Sequence, residues 1–143
     1  MTYEEYEKLC DIEINKNDKY LEMFEAYLRE KGYSEATVRR HLRNVNFYID
    51  IFLLYSDIIP MEKGPEEISM FLGYYFIRKC GWSTPETIKS NAASLKKFYR
   101  LMADKGYISE RSYDDMVFII KDEMPQWQHD CKVYNDGGNP FLF

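Results

Sequence analysis

The sequence is poor in the residues that usually carry chemistry. Its 143 residues include three cysteines, Cys10, Cys80 and Cys131, and two histidines, His41 and His129. The cysteines are far apart, odd in number and never in C-x-x-C spacing, which argues against a disulfide framework and for reduced thiols. A four-ligand zinc site would need the histidines and distant cysteines to converge, so surface histidines and buried cysteines are expected, with no metal and no cofactor. No glycine-rich phosphate loop and no nucleophile with a partnering base stands out. The carboxylate pairs Glu66-Glu67 and Asp114-Asp115 sit in expected first helical turns, where the helix dipole accounts for them. No apolar run approaches the ~20 residues a membrane span needs, and the opening MTYEEYEK is acidic where a signal peptide would be basic. A soluble, cytoplasmic chain is the expectation. Sustained period-two alternation is also missing, so no sheet is expected.

What remains is a chain built to fold as helices. A hydrophobic share of 45% with 17% aromatic residues is too rich for disorder, and 143 residues suffice for one core. Apolar residues recur at helical spacing between clear start and stop signals, predicting helices near residues 3–13, 18–31, 34–55, 65–80, 84–105 and 109–123. Thr2-Tyr3-Glu4-Glu5 reads as a capping box, and Asn15-Lys16-Asn17-Asp18 as a break. Gly32, Gly81 and Gly106 end helices. Gly64-Pro65-Glu66-Glu67 starts one, as do Ser34, Ser83-Thr84 and Ser109. Pro125 should end or kink the last. The fold class expected is all-α: a compact bundle of four to five main helices with extra helical segments at both ends.

Two of these helices carry the positive charge. In residues 34–52 Val38, Leu42, Val45, Ile49 and Phe52 make one apolar face, and Arg39, Arg40, Arg43 and Asn46 point away from it. In residues 83–108 Ile88, Ala92, Leu95, Tyr99 and Met102 make the stripe, with Lys89, Lys96, Lys97 and Arg100 beside it. The net charge of -5 is unevenly spread: residues 34–55 and 83–106 are positive, at +1 and +3, while residues 1–33 and 107–143 are each -4. Two basic, solvent-facing helices suggest a nucleic-acid surface flanked by repulsive ends.

The order of these pieces resembles the amino-terminal core-binding, or SAM-like, domain of tyrosine recombinases and phage integrases. The resemblance rests on Phe24-Glu25-Ala26-Tyr27-Leu28, on Ser34-Glu35-Ala36-Thr37-Val38-Arg39-Arg40-His41-Leu42, on Glu67-Ile68-Ser69-Met70-Phe71-Leu72, and on Thr87-Ile88-Lys89-Ser90-Asn91 through Leu95-Lys96-Lys97-Phe98-Tyr99. It covers roughly residues 17–122, leaving 1–16 as a helical appendage and 123–143 as a C-terminal extension. Such domains form half of a clamp on duplex DNA. Carried over residue by residue, the resemblance implies DNA contacts at Thr37, Arg40 and Asn44 on one helix and at Thr87, Asn91, Ser94 and Lys97 on the other. Arg39, Arg43, Lys89, Lys96 and Arg100 are the implied supporting phosphate contacts.

The recombinase catalytic motifs have no counterpart. His41-Leu42-Arg43-Asn44 and His129-Asp130-Cys131-Lys132 both fail His-x-x-Arg, so DNA strand cleavage is not expected of this chain. The reading is a non-catalytic duplex-DNA-binding domain acting in recombination or integration; the alternative is a protein-protein interaction module of the same fold. The apolar tail Phe141-Leu142-Phe143, behind a linker of turn formers, is a candidate for self-association or partner docking.

Overall fold

A computed structural model describes residues 1–137 of the chain, and it is all-α, with no strand among them. The chain divides into two units, Met1–Gly64 and Pro65–Phe143.

The first unit is built on α1 (Tyr3–Glu30) and α2 (Glu35–Asn46), which runs on into a π-helical turn at Phe47–Phe52. The Thr2 hydroxyl accepts from the Glu5 amide at 3.1 Å and starts α1. The break expected at residues 15–18 does not occur: α1 passes through it. Asn17 is buried, and its side-chain amide donates to the Ile49 carbonyl at 3.2 Å and to Asp50 Oδ1 at 2.8 Å. A residue that favours turns in isolation is held in the helix by tertiary hydrogen bonds, which outweigh a weak local preference. The boundary expected between residues 16 and 17 therefore lies inside a helix.

The π-helical turn was not expected either. The Leu53 amide donates to the Tyr48 carbonyl, five residues back, at 2.9 Å. Widening the turn by one residue puts Tyr48 and Ile49 both inside, where they join Phe24 and Leu28 of α1 and Val38 and Val45 of α2 in the core. The Tyr48 hydroxyl donates to the Gly64 carbonyl at 2.6 Å. Side chains of this size are worth about 1.5–3 kcal/mol each when fully buried, so α1, α2 and the π turn hold one another in place.

The second unit follows a 3-10 turn at Met61–Glu67 that contains Pro65, the residue expected to open an α-helix. The helix expected over residues 65–80 is instead α3 (Ile68–Met70), a second π-helical turn at Phe71–Tyr75 and α4 (Phe76–Lys79). Then come α5 (Pro85–Asp104) and α6 (Glu110–Asn135), which pack on each other, while α3, α4 and the π turn pack against α6. The turn brings Gly73 onto the indole of Trp127. α6 continues past Pro125 to Asn135, so the proline, expected to end or kink the helix, does not end it. Downstream, Trp127 and Cys131 are buried, and Asn135 donates to the Ser83 carbonyl, so tertiary contacts hold the helix beyond the proline. The tail residues Phe141-Leu142-Phe143 lie outside the described residues.

Candidate nucleic-acid interface

α2 and α5 start in the same way, and each start uses a threonine that the sequence assigned to DNA. The Ser34 hydroxyl accepts from the Thr37 amide at 3.3 Å and donates to the Thr37 hydroxyl. On α5 the pairing is reciprocal: the Thr87 amide donates to Thr84 Oγ1 at 3.1 Å, and the Thr84 amide to Thr87 Oγ1 at 2.7 Å. Thr37 and Thr87 are half-buried; the Thr87 hydroxyl completes a capping box, while the Thr37 hydroxyl accepts from the capping Ser34 hydroxyl.

The joints at the other ends also match. α1 leaves through Lys31-Gly32-Tyr33-Ser34, and α5 leaves through Lys105-Gly106-Tyr107-Ile108-Ser109. Gly32 and Gly106 both have φ of 82°, and Tyr33 and Tyr107 donate back to the Leu28 and Met102 carbonyls. That is a Schellman cap, in which a side chain at the glycine would be strained. Across each joint an arginine holds the first residue of the next helix. Arg29 forks onto Glu35, with its two terminal nitrogens 2.6 and 3.1 Å from the carboxylate, and also pairs with Glu25. Arg100 binds Asp104 at 2.9 Å, reaches Glu110, and stacks 4.4 Å over the Tyr113 ring. The hydrogen bonds that the arginines donate to Glu35 and Glu110 raise the arginine pKa values above their ordinary range, and Arg29 in turn lowers that of Glu35. These exposed pairs add little stability, but they neutralise the arginines locally. Arg100 is thus a poor phosphate ligand, a role the sequence gave it.

Asn91 and Ser94 also differ from expectation. Asn91 is 5% exposed and Ser94 not at all, and they donate to the Thr87 and Ser90 carbonyls one turn back on their own helix. Direct DNA contact by these two does not fit their burial. The signal was there in the sequence, because Asn91 lies at helical spacing between Ile88 and Leu95 of the apolar stripe. His41, expected at the surface, is buried too, near the rings of Phe24 and Tyr33, whereas His129 is exposed.

What stays at the surface is narrower and more basic than the full candidate set. Arg39, Arg40 and Arg43 are exposed on α2, and Asn44 is half-buried beside them. Lys89 is exposed on α5, with Lys96 and Lys97 half-buried. No carboxylate occurs between Glu35 and Asp50, nor between Glu86 and Asp104. Each basic helix therefore carries acid only at its ends.

A family model described as "Phage integrase, N-terminal SAM-like domain" matches residues 20–109. The chain belongs to this family. The match begins inside α1 and stops at Ser109, the cap of α6, so all of α6 and the first nineteen residues lie outside it. No curated protein and no solved structure matched the chain. Among the described residues no helix is long and apolar enough to cross a membrane, and no three His, Cys, Asp or Glu side chains gather as a metal site.

Proposed function

We propose that this integrase-type domain binds duplex DNA through the basic faces of α2 and α5 and does no strand chemistry itself, serving recombination or integration in the cytoplasm. The observation that carries the reading is the cluster Arg39, Arg40 and Arg43: exposed on a helix with no acid beyond Glu35, and in no ion pair among the described residues. Three guanidiniums within two helical turns give a fork geometry suited to phosphate oxygens. Lys89, Lys96 and Lys97 supply a second set of phosphate ligands on α5, and Asn44 is the polar side chain best placed to read a base edge from α2. Thr37 and Thr87 contribute through the helix starts, where their hydroxyls are engaged, rather than by touching DNA. Arg100 belongs to the α5–α6 joint.

Titration of a fluorescent duplex at several salt concentrations tests this. Phosphate binding makes the logarithm of affinity fall linearly with the logarithm of salt, with a slope near -0.9 for each phosphate neutralised. Arg40→Ala and Arg43→Ala should each weaken binding and flatten that slope by about one unit, with the thermal midpoint nearly unchanged. Parent-like binding by both variants would show that α2 is not the interface. A flat salt response would favour the protein-interaction reading instead.

A further inference from the structure

A groove of about 520 Å³ opens between α1 and α2 in the first unit. Its α1 wall carries Asp18, Glu22 and Glu25, and its α2 wall carries Leu42, Arg43 and Asn46. The three acids follow one another at four and three residues, so their carboxylates lie along one side of α1. Lys16 and Lys19, their nearest cations in sequence, do not line the groove. Arg29 pairs with Glu25, whereas Asp18 and Glu22 are exposed and in no ion pair among the described residues. On the other wall Asn46 donates to Asp50 Oδ2 at 2.7 Å, so its amide is turned to a further carboxylate.

Arg43 belongs both to this groove and to the basic face of α2. A phosphate that reached Arg43 from the groove side would meet the uncompensated charges of Asp18 and Glu22. Across a space of this size unit charges lie on the order of 8 Å apart, about one Debye length at physiological salt, so the repulsion is only partly screened. At that separation in water each carboxylate lowers phosphate affinity by a factor of about two. Arg40 is spared. At 3.6 residues per turn it lies about 160° round α2 from Leu42, on the side away from the groove.

We propose that Asp18 and Glu22 are positioning residues for DNA: they keep the phosphate backbone off the α1 side of Arg43, so that the duplex lies along the side of α2 that carries Arg40. The proposal rests on the DNA reading above and adds to it a direction of docking and a limit on affinity. The two carboxylates touch no phosphate. They act across the groove, by standing near Arg43 with no cation of their own.

Titration of the full chain with a fluorescent duplex at about 0.1 M salt, where charges act over about 10 Å, tests this. The pair Asp18→Asn with Glu22→Gln should tighten binding about two- to fourfold, and the gain should shrink as salt rises. Glu22→Asp keeps the charge and should bind as the parent does. Glu5→Gln removes the same charge about 25 Å away along α1, and should leave affinity unchanged. The side of docking has its own readout. In the parent, Arg40→Ala should lose more affinity than Arg43→Ala, and in the neutralised pair the two losses should converge, because the backbone can then settle on Arg43. All these positions are exposed, so circular dichroism melts should match the parent. If the parent binds duplex and the neutralised pair binds no tighter, the proposal is overturned and the DNA reading stands. An equal gain from Glu5→Gln overturns it too, since net charge would then be the cause. Equal losses from Arg40→Ala and Arg43→Ala in the parent overturn the direction of docking. No duplex binding by the parent or by the neutralised pair would sink the DNA reading, and this proposal with it.

Discussion

Gly73 is the position where one methyl group should have the clearest effect. It lies in the π-helical turn Phe71–Tyr75, where a Cβ would stand 2.7 Å from Trp127 Nε1 and 2.8 Å from Cδ1. Those atoms belong to a rigid ring that is 3% exposed, so the indole has nowhere to swing. Two effects of Gly73→Ala oppose each other. Alanine is better than glycine in a helix interior by about 1 kcal/mol. Forcing a methyl into a packed core costs about 1–3 kcal/mol through displaced side chains and backbone. With the contact this short and the neighbour this stiff, the upper part of that range applies, and the net effect should be a loss of about 1–2 kcal/mol. In a chain of this size that is a drop of roughly 3–8 °C in the thermal midpoint followed by circular dichroism. The double-mutant cycle isolates the cause: with Trp127→Leu in place the clash disappears, only the propensity remains, and Gly73→Ala should stabilise by about 0.5–1 kcal/mol. Gly81→Ala is the control, since a Cβ there meets nothing within 4 Å. A higher midpoint for Gly73→Ala in the parent background would refute the packing argument.

Asn17→Ala removes the donor to the Ile49 carbonyl in the first π turn, and urea denaturation should register a loss of about 1–3 kcal/mol for the stranded acceptor. Burial raises the pKa of Asp50, with Asp18 adding to it and hydrogen bonds from Asn17 and Asn46 opposing. An acid with a raised folded pKa costs stability when ionised, and the cost is relieved as pH falls through that raised value toward the unfolded value of about 3.9. The midpoint of the parent should therefore gain on that of Asp50→Asn as pH is lowered through this window, and a constant difference would contradict it. Burial pushes the Cys80 thiol up to about 11 and also raises Cys131, so in the folded chain a disulfide reagent should react promptly with half-buried Cys10 alone, and with all three thiols in denaturant.

The capped helix starts were legible in the sequence because a cap is a local device. Thr2, Ser34, Thr84 and Ser109 each accept from an amide three residues on, and nothing distant has to be known to see it. The stops at Gly32 and Gly106 were legible for the same reason. What was not legible depends on partners far along the chain. Asn17 looked like a break because its acceptor lies thirty-two residues away. Pro125 looked like an end because what holds α6 beyond it, Asn135 on the Ser83 carbonyl, lies fifty-two residues apart in sequence. The π turns left no mark, since one added residue per turn shifts the phase of the apolar stripe without interrupting it. Among the candidate site residues, the exposure of the charged groups was legible and the engagement of the small polar ones was not. Arg39, Arg40, Arg43 and Lys89 are exposed as their charge requires. Thr87, Asn91 and Ser94 can satisfy themselves on backbone one turn away, and they do, while Thr37 pairs with the Ser34 hydroxyl.

The same distinction explains how an acidic chain comes to have basic faces. The net charge of -5 sums groups that are not equally available. At the two joints Arg29 is matched by Glu25 and Glu35, and Arg100 by Asp104 and Glu110, so these arginines add no positive field and each joint is left slightly acidic. The remaining acid is densest in the first half of α1 and along α6, while the middle of α2 and of α5 has none. At physiological salt a charge acts over about 8 Å, less than two turns of helix, so a phosphate beside Arg40 responds to Arg39, Arg43 and their immediate neighbours rather than to the whole chain. The sign of the protein and the sign of its α2 and α5 faces are therefore separate quantities. Long-range steering should be weak or repulsive while close binding is favourable, which places the salt dependence of affinity mainly in the dissociation rate. Stopped-flow measurements at low and high salt would decide this: a strongly salt-accelerated dissociation with a nearly constant association rate is expected, and the reverse would mean that the whole-chain field, not the local faces, governs the encounter.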